Sequence, residues 1–299
     1  MPMCPLFQLD ERNPMRSESR STPCAHAIAQ MTSALRAAAR HGVGLALLAL
    51  PFALPASESA RPPERAEASV LSTELVRPGL YRIDGGGGAS LVRVSSKGLV
   101  VVDAKRAGMY EPLMAELRRI ARSPNPPILA LILTGAGRDQ AGTVARFVEA
   151  GVAVIVQRHA VVALDRGPLT QTGRPASDSF ITYDTDYQLF AGDAVVEVEH
   201  VGSGRSRADS VVLFPDLRVA ALGELFVAAT PEPECAAGGS LAGWSAEIDH
   251  VMWIPFDIAV PSRGASVGKS ELTALKGRLD AVAGGTSTAS ACPVAAVLR

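Results

Sequence analysis

The segment Ile128–Leu133 (ILALIL) constrains this chain most. It is an unbroken apolar run, fenced by Pro124-Asn125-Pro126-Pro127 on one side and Thr134-Gly135 on the other. A strand without polar alternation is buried on both faces, so material must cover it from above and below. A second such run, Val152–Val156, follows one short helical segment later, Ala141–Glu149. Upstream, Leu75–Ile83, Ala89–Val94 and Leu99–Val102 read as antiparallel strands, with Gly85–Gly88 as a turn. Glu111–Ala121 carries Leu113, Met114, Leu117 and Ile120 at helical spacing. Downstream the theme repeats: strands at Ala194–His200, Ser210–Phe214 and Val219–Leu222, then helices at Ser240–Val251 and Ser270–Val282 around a strand at Ile258–Val260. Two successive sets of strands and helices predict a layered α/β protein, without a short-period repeat.

The composition suits such a fold. Of 299 residues, 47% are hydrophobic, which argues against intrinsic disorder. With 29 basic and 30 acidic residues the net charge is -1, which excludes a polybasic nucleic-acid binder. Aromatics make up only 5%, too few for a base-stacking platform.

Residues 1–30, rich in Ser, Arg and Pro, read as a non-structural extension. Residues 31–56 read as a signal peptide: Met31, the basic Arg36 and Arg40, then the apolar run Gly42–Ala56. A single anchoring helix is the alternative, although Pro51 and Pro55 interrupt the run. Residues 57–68 are a polar linker and 69–299 form one domain. The expected destination is periplasmic or extracellular, with no stable membrane span once the signal is removed. Beyond the linker only Cys235 and Cys292 remain; they form either a disulfide or two separate thiols, and show no Cys-x-x-Cys pattern.

Thr134-Gly135-Ala136-Gly137-Arg138-Asp139-Gln140 follows the first buried strand and is shaped like a phosphate-cradling turn. Gln140 stands where such a turn needs its third glycine, and the next strand ends Val156-Gln157-Arg158 without an acidic residue for a ribose. No Tyr-x-x-x-Lys pair follows, since Tyr183 and Tyr187 precede Tyr187 and Ala191 at that spacing. A nucleotide-binding oxidoreductase is therefore the weakest reading.

Four blocks carry a stronger resemblance: LYRIDGGGGASLVRVSSKGLVVVDAK (80–105), LALILTGAGRDQAGTVARF (129–147), DSVVLFPDLRVAALGELF (209–226) and GGSLAGWSAEIDHVMWIPFDIAVPSRG (238–264). In order and spacing they resemble the metallo-β-lactamase fold superfamily. The resemblance implies a four-layer αβ/βα sandwich with its site at one edge, between two halves, and implies zinc-dependent hydrolysis. The motif His-x-His-x-Asp-His aligns with Gly135-Ala136-Gly137-Arg138-Asp139-Gln140, of which only Asp139 survives. The fourth histidine position falls on Arg205, the bridging aspartate on Glu224 and the last histidine on Arg263.

All five histidine positions thus hold other residues: Gly135, Gly137, Gln140, Arg205 and Arg263. Glycine offers no side chain and arginine no lone pair, whereas zinc takes about four imidazole, thiolate or carboxylate donors. Without zinc no bound water reaches a pKa near 7. The cofactor expectation is therefore none, and Asp139, Gln140, Arg205, Glu224 and Arg263 are the candidate cleft residues. Two Arg–carboxylate pairs, drawn from Arg205, Arg263, Asp139 and Glu224, are expected to replace the metal charge, the alternative being drift with both arginines exposed. The functional expectation is an exported, catalytically inactive homologue that binds a small anionic ligand or regulates. The alternative is a hydrolase with a non-standard or metal-independent site, and its catalytic residues are unknown.

The other chemistry-bearing residues are expected to be structural. His159, His200 and His250 miss the metal positions, with His200 nearest and a candidate base. Ser203 and Ser206 lack a nucleophile elbow. Trp244 and Trp253 read as core, and Asp103 as a strand-end cap.

Overall fold

The computed structural model describes residues 71–167, 180–229 and 231–284, together with Cys292. The extension, signal peptide and linker expected over residues 1–68 lie outside them. Among the described residues no helix is long and apolar enough to cross a membrane.

The first sheet runs in sequence order: β1 (Ser72–Arg77), β2 (Leu80–Asp84), β3 (Ser90–Ser95), β4 (Gly98–Val102), β5 (Ile128–Ile132), β6 (Ala153–Gln157) and β7 (Phe180–Tyr183). Its first four strands are antiparallel and β4 to β7 are parallel. The second sheet is ordered β12-β11-β10-β9-β8, from β8 (Asp186–Ala191), β9 (Ala194–His200), β10 (Ser210–Phe214), β11 (Val219–Gly223) and β12 (Ile258–Pro261). Only its β11–β12 pair is parallel.

Side-chain alternation builds the layers. Leu99 and Val101 of β4 and Leu131 of β5 face one way, onto Leu113 and Leu117 of α1 (Tyr110–Ala121), Phe147 of α3 (Val144–Glu149) and Leu164 of α4 (Ala160–Arg166). Val100, Val102, Ala130 and Ile132 face the other way, onto Val198, Val212 and Phe214 of the second sheet. The far side of that sheet (Val211, Ala220, Ala259) packs on Trp244 and Ile248 of α5 (Leu241–Trp253) and Leu275 of α6 (Lys269–Gly284). The result is the expected four-layer αβ/βα sandwich.

Local chemistry sets several boundaries. Arg122 caps α1 in the left-handed region (φ 52°), the Ser123 N–H returns to Arg118 O at 3.1 Å, and the prolines that follow prevent continuation. Ser240 caps α5, its Oγ accepting from Gly243 N at 3.0 Å.

Several expectations need correction. Leu75–Ile83 is not one strand but a hairpin, turned at Pro78-Gly79 with Gly79 at φ +76°. The helix expected over 141–149 is two pieces, α2 (Arg138–Ala141) and α3, interrupted at Gly142-Thr143. Strands β7 and β8 went unread because both are sheet edges, and their exposed Ile181 and Phe190 blur the alternation. Trp244 is fully buried, its Nε1 donating to Leu225 O at 2.8 Å, whereas Trp253 is 89% exposed and not core. Cys235 and Cys292 form a disulfide, with Cα atoms 5.1 Å apart.

Candidate functional site

The candidate residues lie on loops that leave the ends of β4, β5, β9, β11 and β12, where open sheets place their crevices. The floor begins at Asp103, just past β4. It is buried and held at φ 61°, a conformation costly for a non-glycine residue. Its two oxygens accept from Thr134 N (2.9 Å) and Thr134 Oγ1 (2.8 Å), which pins the start of the loop after β5. Burial, and next the Glu224 charge, push the Asp103 carboxyl up to about 7 against the opposing hydrogen bonds from Thr134.

Two residues on, Lys105 is fully buried at φ 67°. Its ammonium donates to Ile83 O (2.5 Å) and Gly88 O (2.6 Å), holding the Gly85–Gly88 loop against the floor. Burial brings the Lys105 amine down to about 8, while Asp84 and Asp103 favour its charged form.

Asp139 and Gln140 sit on α2. Arg263, from the loop after β12, donates from Nη2 to Asp139 Oδ2, and its side chain remains 64% exposed. Gly87 (φ +112°) is needed beside this pair, since a Cβ there would lie 3.0 Å from Asp139 Oδ1 and 3.2 Å from Arg106 N. Gln140 is buried, and its Oε1 has no partner. That oxygen occupies the place where a side chain on Gly137 would begin, so a side chain there would require the Gln140 amide to move. At Gly135 the corresponding space is open.

Arg205 is held more tightly. Nη1 donates to Glu224 Oε2, and Nη2 lies 2.8 Å from Glu234 Oε1. Its loop is clamped from several sides. Ser206 N and Oγ donate to Asp209 (2.7 and 2.6 Å), Gly204 N donates to Glu247 Oε1 (2.6 Å), and Glu234 N donates to Arg205 O (2.7 Å). Glu247 and Asp209 are both buried. Burial pushes their carboxyls up, to about 9 for Glu247 and about 6 for Asp209, with the Asp209 charge adding to the rise at Glu247.

The structure thus brings Asp139 to Arg263 and Arg205 to Glu224, with Gly135 and Gly137 on the loop that leads into α2 and Gln140 beside Asp139 on that helix. The histidines do not join them. His200 Nδ1 bonds Asp209 O (2.8 Å) and its ring lies 6.4 Å from that of His159, while His250 pairs with Glu199 (2.6 Å). Ser206 is committed to Asp209, so it is not set up as a nucleophile. Asp103 is more than a strand-end cap, because it fixes Thr134. Lys105, Glu234 and Glu247 were not singled out from the sequence. Glu247 left a signal, three residues after Trp244 and four before Val251 on the buried stripe of α5. Lys105 left none.

These residues do not fit zinc. The carboxylates of Asp139 and Glu224 are engaged by guanidiniums, and Gly135, Gly137, Arg205 and Arg263 offer no side-chain lone pair to a metal. Among the described residues no three His, Cys, Asp or Glu side chains are grouped to hold a metal ion.

The architecture is similar to solved metallo-β-lactamases. The metallo-β-lactamase from Pontibacter korlensis superposes with a TM-score of 0.60 at 18% identity, covering 70% of this chain and 99% of that one. The FIM-1 metallo-β-lactamase from Pseudomonas aeruginosa, in its mono-zinc form, gives 0.58 at 15% identity, covering 71% and 96%. No protein-family model matches the chain, and no curated protein matches it.

Proposed function

We propose that this chain, which carries the metallo-β-lactamase fold, works as an exported binding or regulatory module that takes a small anionic ligand at its cleft and does not hydrolyse through zinc. The observation that carries this reading is the substitution of guanidinium for metal. Arg263 and Arg205 neutralise Asp139 and Glu224, the carboxylates that metal cations would otherwise neutralise. The two arginines differ in use. Arg205 is shared by two carboxylates and is mostly buried, so it serves structure. Arg263 has one partner among the described residues and a largely exposed side chain, so it can exchange Asp139 for a ligand carboxylate or phosphoryl group. The Cys235–Cys292 disulfide supports an oxidising destination.

The test is ligand-induced thermal stabilisation with small anions, which Arg263→Ala is expected to abolish. Turnover of a lactam or ester probe that disappears in Asp139→Ala would contradict this reading.

A further inference from the structure

We infer that the mouth of the cleft is a site for a multiply charged oxyanion, formed by Arg106, Arg138 and Arg263, with Asp139 acting as an internal competitor for the ligand. This inference rests on the binding-module reading and specifies its ligand class.

Three loops meet at Asp139. Arg263 comes from the loop after β12 and pairs with it directly. Arg138 precedes it on α2. Arg106 lies on the loop after β4, where its N–H donates to Gly86 O (3.0 Å) and its backbone abuts Gly142, directly after α2. A Cβ at Gly87 would touch both the Asp139 side chain and Arg106 N, so that side chain and the Arg106 backbone meet beside Gly87.

Arg106 and Arg138 are exposed, and neither has an ion pair or side-chain hydrogen bond among the described residues. Asp84, on the neighbouring strand β2, is already balanced by Arg82 at 2.8 Å. Three arginines are therefore rooted around one carboxylate, a local surplus of positive charge beside open space at Gly135 and Gly264. A monoanion could replace Asp139 but would leave that surplus unmatched. A phosphoryl group, diphosphate or polycarboxylate would match it, and the planar guanidinium fork suits such oxygens.

The experiment is calorimetric titration of the full chain at low salt with inorganic pyrophosphate, citrate and acetate. Pyrophosphate and citrate are expected to bind more tightly than acetate. Arg106→Glu and Arg138→Glu should each weaken them by about two- to fivefold or more, the scale of exposed charge pairs. Arg118→Glu, the same charge change on the exposed face of α1, should have a smaller effect. Asp139→Asn frees Arg263 and should tighten binding by a similar factor. A flat titration, an equal loss in Arg118→Glu, or no gain in Asp139→Asn would overturn the inference. The two readings fail separately. Probe turnover counts against the binding module, whereas a flat anion titration on a chain without turnover counts against the arginine site alone.

Discussion

Arg263 donates its guanidinium to Asp139, the one residue of the aligned His-x-His-x-Asp-His stretch that keeps its identity in this chain. Asp139 therefore lies beneath a permanent cation that cannot be deprotonated or donate a lone pair. The second pair, Arg205 with Glu224, repeats this arrangement deeper in the cleft, at side-chain exposures of 22% and 18%.

The depth difference predicts a stability difference. Glu224→Ala leaves the mostly buried Arg205 with Glu234 as its one ion-pair partner among the described residues, and should cost about 1–3 kcal/mol, below the value for a fully buried pair. Glu234→Ala removes a partner that is 43% exposed and should cost under about 1 kcal/mol. Urea denaturation of both variants measures the order.

The buried carboxyls predict a pH dependence. Asp209, Asp103 and Glu247 keep their protons in the folded chain up to about 6, 7 and 9, against 3.8, 3.8 and 4.5 as ordinary values. Between those limits the unfolded chain has released protons that the folded chain retains, so stability falls as pH rises. His200, held low by burial, opposes the fall below pH 6.5, and Lys105 opposes it above about pH 8. From pH 7 to 8 Glu247 dominates. Melting temperatures of the native chain should drop across that interval, and Glu247→Gln should flatten the drop.

Glycines around α2 predict opposite outcomes for one substitution. A Cβ at Gly142 would run into the backbone of Arg106 and Ala107, so Gly142→Ala should destabilise by about 1–3 kcal/mol. At Gly135 the space is open, and Gly135→Ala should be neutral or stabilising by up to about 1 kcal/mol. Chemical denaturation curves of the two variants check the contrast.

The sequence showed the layers well where burial was two-sided. Ile128–Leu133 and Leu99–Val102 alternate between two apolar neighbours, so their runs are unbroken and easily read. It showed them poorly at the sheet edges, where β7 and β8 mix exposed apolar residues with polar ones. The pairing of Arg263 with Asp139 and of Arg205 with Glu224 could be expected from their opposite charges. What lies beneath them could not. Lys105 is buried because its ammonium meets two carbonyls from distant residues, Ile83 and Gly88, and no local pattern encodes that meeting. Glu234 reaches Arg205 through a fold-back that places Glu234 N against Arg205 O.

The central claim is that arginine, and not metal, balances the carboxylates of this cleft. Metal analysis of the purified full chain, after incubation with zinc and removal of excess, tests it most directly. The account predicts far less than one zinc per chain, with the same trace level in Asp139→Ala. Stoichiometric zinc in the native chain that is lost in Asp139→Ala would contradict it.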